Sequence, residues 1–381
     1  MTGAVLHVPV GERGYDIHIG TGLLASAGDL IAPVIRHRRA IVVTDANVAT
    51  FHLATLAASL EAAGIAHRAI ILPPGESTKD FAHYAQLCQD ILELGIERAT
   101  PIVALGGGVT GDLAGFAAAT LLRGLDCVQI PTTLLAQVDS AVGGKTAIDT
   151  PQGKNLVGAF HQPVLVIADI GALATLPRRE LLAGYAEIVK YGLICDAGFF
   201  AWLEEHGAAL IDGDAAAREE AVRRSCAIKA GFVEADEREA GERALLNFGH
   251  GFGHALEAET GFGATLLHGE AVALGMALAF DLSVRLGHCP AEDAVRAQRH
   301  LAQAGLPTRL DFLPERVRDP AELVSHMQKD KKVREGRVSL ILPRAVGDVF
   351  ITRDVGLETL LDFLASAAGA PAIPPALPFS G

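Results

Sequence analysis

The sequence has few of the features expected of a membrane, secreted or nucleic-acid-binding protein. Its longest apolar stretches, such as residues 271–280, are too short to span a bilayer. The N-terminal segment lacks a basic stretch followed by an apolar run, so we expect no secretory signal peptide. Positive charge is scarce: 32 Lys and Arg against 45 Asp and Glu give a formal net charge of −13. That balance argues against nucleic acid or an anionic membrane as a partner.

Cysteine is also sparse and is not arranged for cross-linking. The five cysteines are an odd, scattered set with no Cys-x-x-Cys pair. This pattern favours free thiols in a reducing compartment over a disulfide framework or a cysteine metal site. We therefore expect a soluble, cytoplasmic protein.

The first half of the chain predicts an α/β unit with a parallel sheet. Half of the 381 residues are hydrophobic, which suits a large folded core. Nearly continuous apolar strands alternate with amphipathic helices, as in parallel sheets covered on both faces. The predicted strands are 4–10, 15–19, 40–44, 68–72, 101–105, 126–130 and 163–168, and the predicted helices are 49–63, 79–94 and 112–122.

The second half predicts mostly helices. They cover 178–191, 215–235, 249–259, 270–286, 291–304 and 321–328, and a late hairpin covers 338–342 and 348–352. We place a domain boundary near residue 176, which gives an α/β domain over 1–176 and a mainly helical domain over 177–367. The Pro- and Ala-rich tail, 368–381, is expected to be loosely ordered.

A glycine-rich loop follows the strand at 101–105. Gly106, Gly108 and Gly111 have the Gly-x-Gly-x-x-Gly spacing, which lets a backbone approach a diphosphate at a helix start. The loop is not at the first strand, and no acidic residue ends a strand about 20 positions later, as a standard dinucleotide motif requires. Asp45, in Thr-Asp-Ala-Asn, ends an earlier strand; it could bind a ribose or cap a helix.

A second glycine-containing segment is rejected as a phosphate loop. Val-Gly-Gly-Lys-Thr at 142–146 resembles the end of a P-loop, but Asp139 stands where that motif needs its first glycine. A nucleoside triphosphatase is therefore excluded.

Residues 243–270 hold a cluster of histidines. His250 and His254 are spaced to share one helical face, and His268 follows. Two histidines with a carboxylate from elsewhere would make a catalytic metal site with an open position. By spacing alone, an ordinary surface or core pair is the alternative.

Charged residues in apolar surroundings are a further signal. Glu187 and Lys190 share one face of a helix rich in Ile, Val and Tyr, which favours a buried metal or substrate role over a surface ion pair. Basic residues recur in similar or Gly-rich settings: Arg123, Lys145, Lys154, Lys190, Lys229, Arg243, Lys331 and Lys332. Each alone suits an ordinary surface position, but together they could bind an anionic substrate.

Several motifs in order resemble the 3-dehydroquinate synthase family of the sugar-phosphate cyclase superfamily. The resemblance extends from about residue 40 to about residue 345. The motifs are LGGGVTGDLAGF, RGLDCVQIPTTLLAQVDSAVGGKT, PQGKNLVGAFHQP, GYAEIVKYGLI, LNFGHGFGHALE and LLHGEAVALGM.

The resemblance implies an N-terminal Rossmann-like NAD-binding domain and a helical domain that holds a divalent metal, zinc or cobalt. The implied metal ligands are Glu187, His250 and His268. The implied NAD contacts are Asp45, Asn47, Glu76, Lys79, Gly107, Gly108, Asp112, Thr132, Thr133, Lys145 and Lys154. The implied substrate contacts are Asp139, Lys145, Asn155, Lys190, Lys229, Arg243, Asn247 and His254. Arg123 would reach the partner's active site in a homodimer, and either Lys331 or Lys332 would approach the substrate.

The implied reaction converts 3-deoxy-D-arabino-heptulosonate 7-phosphate to 3-dehydroquinate and phosphate, a step of aromatic biosynthesis in the shikimate pathway. It proceeds by transient oxidation with NAD, phosphate elimination, reduction and aldol closure. Asn155 and Asn247 favour the 3-dehydroquinate-forming activity over that of synthases of 2-deoxy-scyllo-inosose or 2-epi-5-epi-valiolone. Gly251 departs from the family pattern, which usually has Thr at this position. A metal-dependent NAD alcohol or glycerol-phosphate dehydrogenase is a second alternative, and a regulatory NAD- or metal-binding module fits poorly.

Overall fold

The computed structural model describes residues 3–10, 14–239, 241–263, 265–329 and 338–369. The strands in these ranges are β1 (Ala4–Val8), β2 (Tyr15–Gly20), β3 (Arg39–Asp45), β4 (Ala66–Leu72), β5 (Ile102–Gly106), β6 (Cys127–Pro131), β7 (Lys145–Thr150), β8 (Gly153–Phe160), β9 (Leu165–Asp169), β10 (Leu340–Ala345) and β11 (Asp348–Thr352). The α-helices are α1 (Ala27–Ile31), α2 (Ala46–Val48), α3 (Ala54–Ala62), α4 (Phe81–Glu93), α5 (Gly108–Thr120), α6 (Arg178–Cys195), α7 (Ala197–Asp212), α8 (Ala215–Ala235), α9 (His250–Glu259), α10 (His268–Arg285), α11 (Ala291–Gln303), α12 (Pro320–Lys329) and α13 (Leu357–Gly369).

The chain divides into two compact units. The first takes in Met1–Leu181 and Arg218–Ala240, and the second takes in Leu182–Ala217 and Gly241–Gly381. The division into domains 1–176 and 177–367 with a tail over 368–381 stays a prediction. Ala368 and Gly369 belong to α13, and residues 370–381 lie outside the described residues.

The first unit is built on a seven-stranded sheet in the order β1-β2-β9-β6-β5-β3-β4. Only β1 and β2 pair antiparallel in this sheet; its other neighbours run parallel. Ile41 and Val43 pack on one face with Leu113 of α5, and Val42 packs on the other face with Leu60 of α3. The central strands β3, β5, β6 and β9 are buried on both faces because helices cover both. The predicted α/β class with a mainly parallel sheet is confirmed.

Several elements of the structure were not predicted, among them helix α1, the hairpin of β7 and β8, and helices α7 and α13. The hairpin of β7 and β8 pairs antiparallel outside the main sheet, and its strands are partly exposed and rich in polar residues and glycine. Helix α7 is capped by Asp196, whose carboxylate accepts the N–H of Phe199 at 2.7 Å. Helix α13 follows the late hairpin, which was predicted and is formed by β10 and β11.

The second unit places α9 against α10 at very short range. Gly249, the residue before α9, has a left-handed φ of 80°, and a Cβ on Gly275 of α10 would lie 1.9 Å from the carbonyl oxygen of Gly249. Only glycine permits this backbone contact. Helix α10 is buried from Gly269 to Phe280. Among the described helices, none has the length and apolar character needed to cross a membrane.

Candidate active site

The carboxyl ends of the parallel strands carry the first group of predicted cofactor residues. Asp45 ends β3, and its Oδ1 accepts the N–H groups of Asn47 at 2.9 Å and Val48 at 3.1 Å. The helix-capping alternative for Asp45 is therefore present in the structure. Ligands of open α/β folds bind at this edge of the sheet, so a role for Asp45 and Asn47 in binding NAD stays a prediction.

The glycine-rich loop leads from β5 into α5 at the same edge. Gly107 is the N-cap residue, and a Cβ on it would lie 3.0 Å from the side chain of Thr133. A Cβ on Gly111 would lie 2.8 Å from the side-chain oxygen of Gln129, so this glycine lets α5 pack closely on β6. The hydroxyl of Thr132 is buried and has no hydrogen-bond partner among the described residues. The loop thus offers helix-start N–H groups and an unused hydroxyl to a dinucleotide.

A buried network of charged residues lies beside this loop. Lys79 is 4% exposed, and its Nζ donates to Asp112 Oδ2 and to Asn155 Oδ1, both at 2.5 Å. Lys154 forms an ion pair with Glu76 at 3.1 Å. Burial by itself lowers the pKa of Lys79, but Asp112 and Glu76 outweigh it and raise that pKa above its ordinary value. Lys79 therefore stays a cation, as binding a pyrophosphate requires.

Glu76 of the same network stays a carboxylate. Burial opposes ionisation, but Lys154 and Lys79 lower the pKa of Glu76 below its ordinary value.

Two other lysines of the first unit are held by carboxylates. Lys229, on α8, is 6% exposed and donates from Nζ to the carbonyl oxygen and to Oδ1 of Asp139, both at 2.5 Å. Lys145, at the start of β7, forms an ion pair with Glu239. The structure therefore joins Lys229 to Asp139 and gives Lys145 a partner, Glu239, that sequence reasoning did not identify.

Arg123 is exposed in a turn with unusual backbone geometry. Leu122 and Arg123 have left-handed φ values of 49° and 68°, and Gly124 follows at 122°. Non-glycine residues rarely adopt this conformation, and two in succession suggest a functional constraint.

In the second unit, three predicted metal ligands come together. Glu187 Oε1 lies 3.7 Å from His250 Nε2 and 3.4 Å from His268 Nε2, and the ligand atoms of all three residues lie within 4.8 Å of one another. His250 is the first residue of α9, and His268 is the first residue of α10. A Cβ on Gly269 would lie 2.0 Å from the carbonyl oxygen of Ala183, so glycine allows the first turn of α10 to lie against α6.

The hydrogen bonds of both imidazoles suit a bound cation. His250 Nδ1 lies 3.2 Å from the carbonyl oxygen of Phe248, and His268 Nδ1 lies 3.2 Å from Glu257 Oε2. These acceptors favour the tautomer with the proton on Nδ1, so each Nε2 is directed to Glu187 with its lone pair available to a metal. One carboxylate and two imidazoles match the ligand set of catalytic zinc sites with an open position. The residues present therefore fit a divalent cation.

The electrostatics of the group lead to the same conclusion. Burial lowers the pKa of His268, but the carboxylates of Glu257 and Glu187 together raise it to about 10. Two buried carboxylates thus attract a positive charge to the position beside His268 Nε2.

The other predicted residues described in this unit are Lys190, Arg243, Asn247 and His254. Lys190 is 1% exposed and forms an ion pair with Glu187, so the buried pair predicted from the helix is present. Arg243 is also 1% exposed, and Asn247 donates to the carbonyl oxygen of Ala244 at 3.2 Å. The His254 ring lies 5.2 Å from that of His250, although His254 is not among the three grouped ligands. Helical spacing alone had favoured His254 as the partner of His250.

Glu257, 2% exposed, was missed because nothing in the sequence shows that α9 brings it to His268. Gly251 has only Leu340 Cδ2 near its would-be Cβ, at 3.8 Å, so a side chain would fit there. Lys331 and Lys332 lie outside the described residues.

Comparison with known proteins places this geometry in a family. Residues 69–183 match the model of the 3-dehydroquinate synthase N-terminal domain, and residues 184–333 match that of the C-terminal domain. Over 367 residues the chain is 60% identical to a 3-dehydroquinate synthase of Rhodospirillum rubrum. The aligned region covers 96% of this chain and 95% of that protein.

Solved structures of related cyclases have the same fold. The 2-epi-5-epi-valiolone synthase of Streptomyces hygroscopicus subsp. jinggangensis, solved with NAD+ and Zn2+ bound, is 30% identical, with a TM-score of 0.85 over 94% of this chain and 98% of that one. A 2-deoxy-scyllo-inosose synthase, solved with carbaglucose-6-phosphate, NAD+ and Co2+, is 26% identical, with a TM-score of 0.85 over 96% of this chain and 100% of that one. From the two family models and the identity over nearly the full length, the chain belongs to the 3-dehydroquinate synthase family.

Proposed function

We propose that this protein converts 3-deoxy-D-arabino-heptulosonate 7-phosphate to 3-dehydroquinate and phosphate. It is a carbon–oxygen lyase of the shikimate pathway that uses NAD and a divalent metal ion. The observation that carries the proposal is the close group of Glu187, His250 and His268, oriented for a cation in a chain whose two halves both match the family. The NAD+ with Zn2+ or Co2+ bound in the related cyclases supports both cofactors.

Each cofactor is assigned to one set of residues. Glu187, His250 and His268 would hold the metal, and the NAD residues are Asp45, Asn47, Glu76, Lys79, Gly107, Gly108, Asp112, Thr132, Thr133, Lys145 and Lys154. When bound, NAD supplies a reversible hydride acceptor, and the metal ion supplies a Lewis acid that favours the alkoxide of a bound hydroxyl.

The chain's own contribution is to bind anions and stabilise charge. The substrate has a carboxylate and a phosphate, and the reaction develops an alkoxide. Lys190 is buried beside Glu187, so its ammonium is positioned to stabilise negative charge on a substrate oxygen at the same place. Arg243, with its planar guanidinium, suits bidentate binding of the carboxylate or the phosphate. The further substrate residues are Asp139, Asn155, Lys229, Asn247 and His254.

Burial gives these charges their effect. Lys190, Lys229 and Arg243 are all less than one-tenth exposed. In a site with little water, a fixed cation stabilises a developing anion more strongly than it does in solvent.

Assembly and location are part of the same proposal. The enzyme is a cytoplasmic homodimer in which Arg123 binds substrate in the partner's active site. The exposed, strained turn at Arg123 supports a role outside its own subunit.

Offering different sugar phosphates to the purified protein tests the proposal. With NAD and Zn2+ or Co2+, phosphate should be released from the heptulosonate 7-phosphate at least a hundredfold faster than from glucose 6-phosphate or sedoheptulose 7-phosphate. Those two are the substrates expected of 2-deoxy-scyllo-inosose and 2-epi-5-epi-valiolone synthases. Faster release from either of them would assign the chain to that activity instead.

A further inference from the structure

The hairpin of β7 and β8 is irregular around Asp149. Ile148 pairs with Val157 and Thr150 pairs with Gly153, and the register shifts between these two pairs. Asp149 therefore lies outside the paired positions of the ladder. A residue at such an irregularity is left out of the ladder pairing, and its side chain can be re-aimed.

Asp149 contacts Lys79, a predicted NAD residue, and Asn155, a predicted substrate residue. Its N–H donates to the carbonyl oxygen of Lys79 at 2.6 Å, and its Oδ1 accepts the N–H of Asn155 at 2.8 Å. Lys79 in turn donates from Nζ to Asn155 Oδ1 at 2.5 Å. Three hydrogen bonds thus form a closed ring through Asp149, Lys79 and Asn155.

The ring holds Asn155 in a conformation that needs support. Its φ is 53°, in the left-handed region that asparagine tolerates better than most residues but still at some cost. The hydrogen bond to Asp149 fixes the backbone at this point, and the same backbone geometry directs the side chain of Asn155 at Lys79. Because β8 is largely exposed here, few packing contacts could replace that hydrogen bond.

We propose that Asp149 is a positioning residue of the NAD site, which sets the backbones of Lys79 and Asn155 so that their side chains meet in the geometry that receives the cofactor. Asp149 acts through its acceptor oxygen and does not itself touch NAD. The inference rests on the proposed function, since it assigns Lys79 to the cofactor and Asn155 to the substrate.

Titration calorimetry with NAD on the full-length protein tests this role without relying on turnover. Asp149→Ala removes the acceptor and should weaken NAD binding roughly five- to tenfold, as expected for the loss of one well-placed hydrogen bond. Asp149→Asn keeps an acceptor oxygen and should restore the affinity to within about twofold of wild type. Asp90→Ala removes a carboxylate on the surface of α4, where it accepts from Gln86 at 2.8 Å, and is the matched control.

The thermal midpoint is recorded for every variant, because a merely structural role would change it and leave the affinity as it was. Asp149→Leu is a second variant without an acceptor, in case the alanine variant does not fold. Unchanged NAD affinity in the acceptor-free variants, or an asparagine variant as weak as the alanine variant, would overturn the inference. A wild-type protein that binds NAD but releases no phosphate would refute the proposed function alone.

Discussion

His268 lies between two buried carboxylates: its Nδ1 is 3.2 Å from Glu257 Oε2, and its Nε2 is 3.4 Å from Glu187 Oε1. Glu257 thus orients the imidazole that Glu187 faces. A carboxylate that accepts from a ligand histidine fixes its tautomer and raises its basicity, so the metal affinity should depend on a residue that does not touch the metal.

Replacement of Glu257 measures that dependence. Glu257→Ala should weaken Zn2+ binding roughly 10- to 100-fold, because His268 loses the acceptor for Nδ1. Competition with a chromogenic chelator gives the affinity directly. Glu205→Gln, an exposed position on α7, is the control and should bind Zn2+ like wild type. Equal affinities for all three proteins would show that Glu257 has no part in the site.

Mixing two inactive variants tests the role of Arg123 across the proposed dimer. Arg123→Ala should lose most of its turnover because the partner's substrate site lacks its guanidinium, and His268→Ala should lose turnover because a metal ligand is missing. Subunit exchange between them should regenerate about a quarter of the wild-type sites, since half of the sites in each mixed dimer are complete. Phosphate release that stays at the level of the separate variants would contradict a role in trans.

Acid should destabilise the second unit through His300. Its imidazole is 2% exposed and lies 2.9 Å from the hydroxyl of Tyr185. Burial, supported by Arg296 and Arg299, lowers the pKa of His300 to about 4. The unfolded chain, with the ordinary pKa of 6.5, then binds a proton more readily than the folded one.

The lowered pKa of His300 sets the pH range in which the folded protein loses stability. The contribution of neutral His300 to the free energy of unfolding is fully present above pH 6.5. Roughly 3 kcal/mol of that free energy is lost as the pH falls from about 6.5 to about 4. Urea midpoints at pH 7 and pH 4.5 measure the loss, and His300→Gln, which cannot take up a proton, should show a smaller fall. An equal fall in both proteins would assign the acid sensitivity to other groups.

Two glycines should respond in opposite ways to replacement by alanine, because only one of them lies at the close contact between α9 and α10. Gly275→Ala should destabilise the protein by about 2 kcal/mol or more, because its Cβ would lie 1.9 Å from the carbonyl oxygen of Gly249. Gly231→Ala, in α8, should stabilise by about 0.5–1 kcal/mol, since among the described residues no atom outside its own stretch of helix lies within 4 Å of the new Cβ. Thermal unfolding of both variants checks the pair; a tolerated Gly275→Ala would mean that the helices can separate without cost.

Hydrophobic pattern alone predicted the parallel sheet and most of the helices. Strand β3 is an example: its run of buried residues at 40–43 reflects helices on both faces, which a sequence shows directly. The β7–β8 hairpin was missed because its partly exposed strands contain glycine, threonine and asparagine in place of a regular alternation.

The candidate site was less accessible to pattern and spacing. His250 and His254 are neighbours along one helix, whereas His268 reaches His250 only through the packing of α10 on α9. Only resemblance to the family connected Glu187, His250 and His268. Glu257 contacts His268 across two helices, and Asp149 contacts Lys79 and Asn155 from the irregular part of the β7–β8 hairpin. No local sequence pattern marks either residue.

The balance between phosphate and NADH tests the central claim most directly. With the heptulosonate 7-phosphate, catalytic NAD and Zn2+, phosphate release should continue for many turnovers with no net rise in NADH absorbance, because the hydride is returned in each cycle. Removal of the metal by a chelator should abolish release, and added Zn2+ or Co2+ should restore it. Stoichiometric accumulation of NADH, or phosphate release that persists in the metal-free protein, would contradict the account.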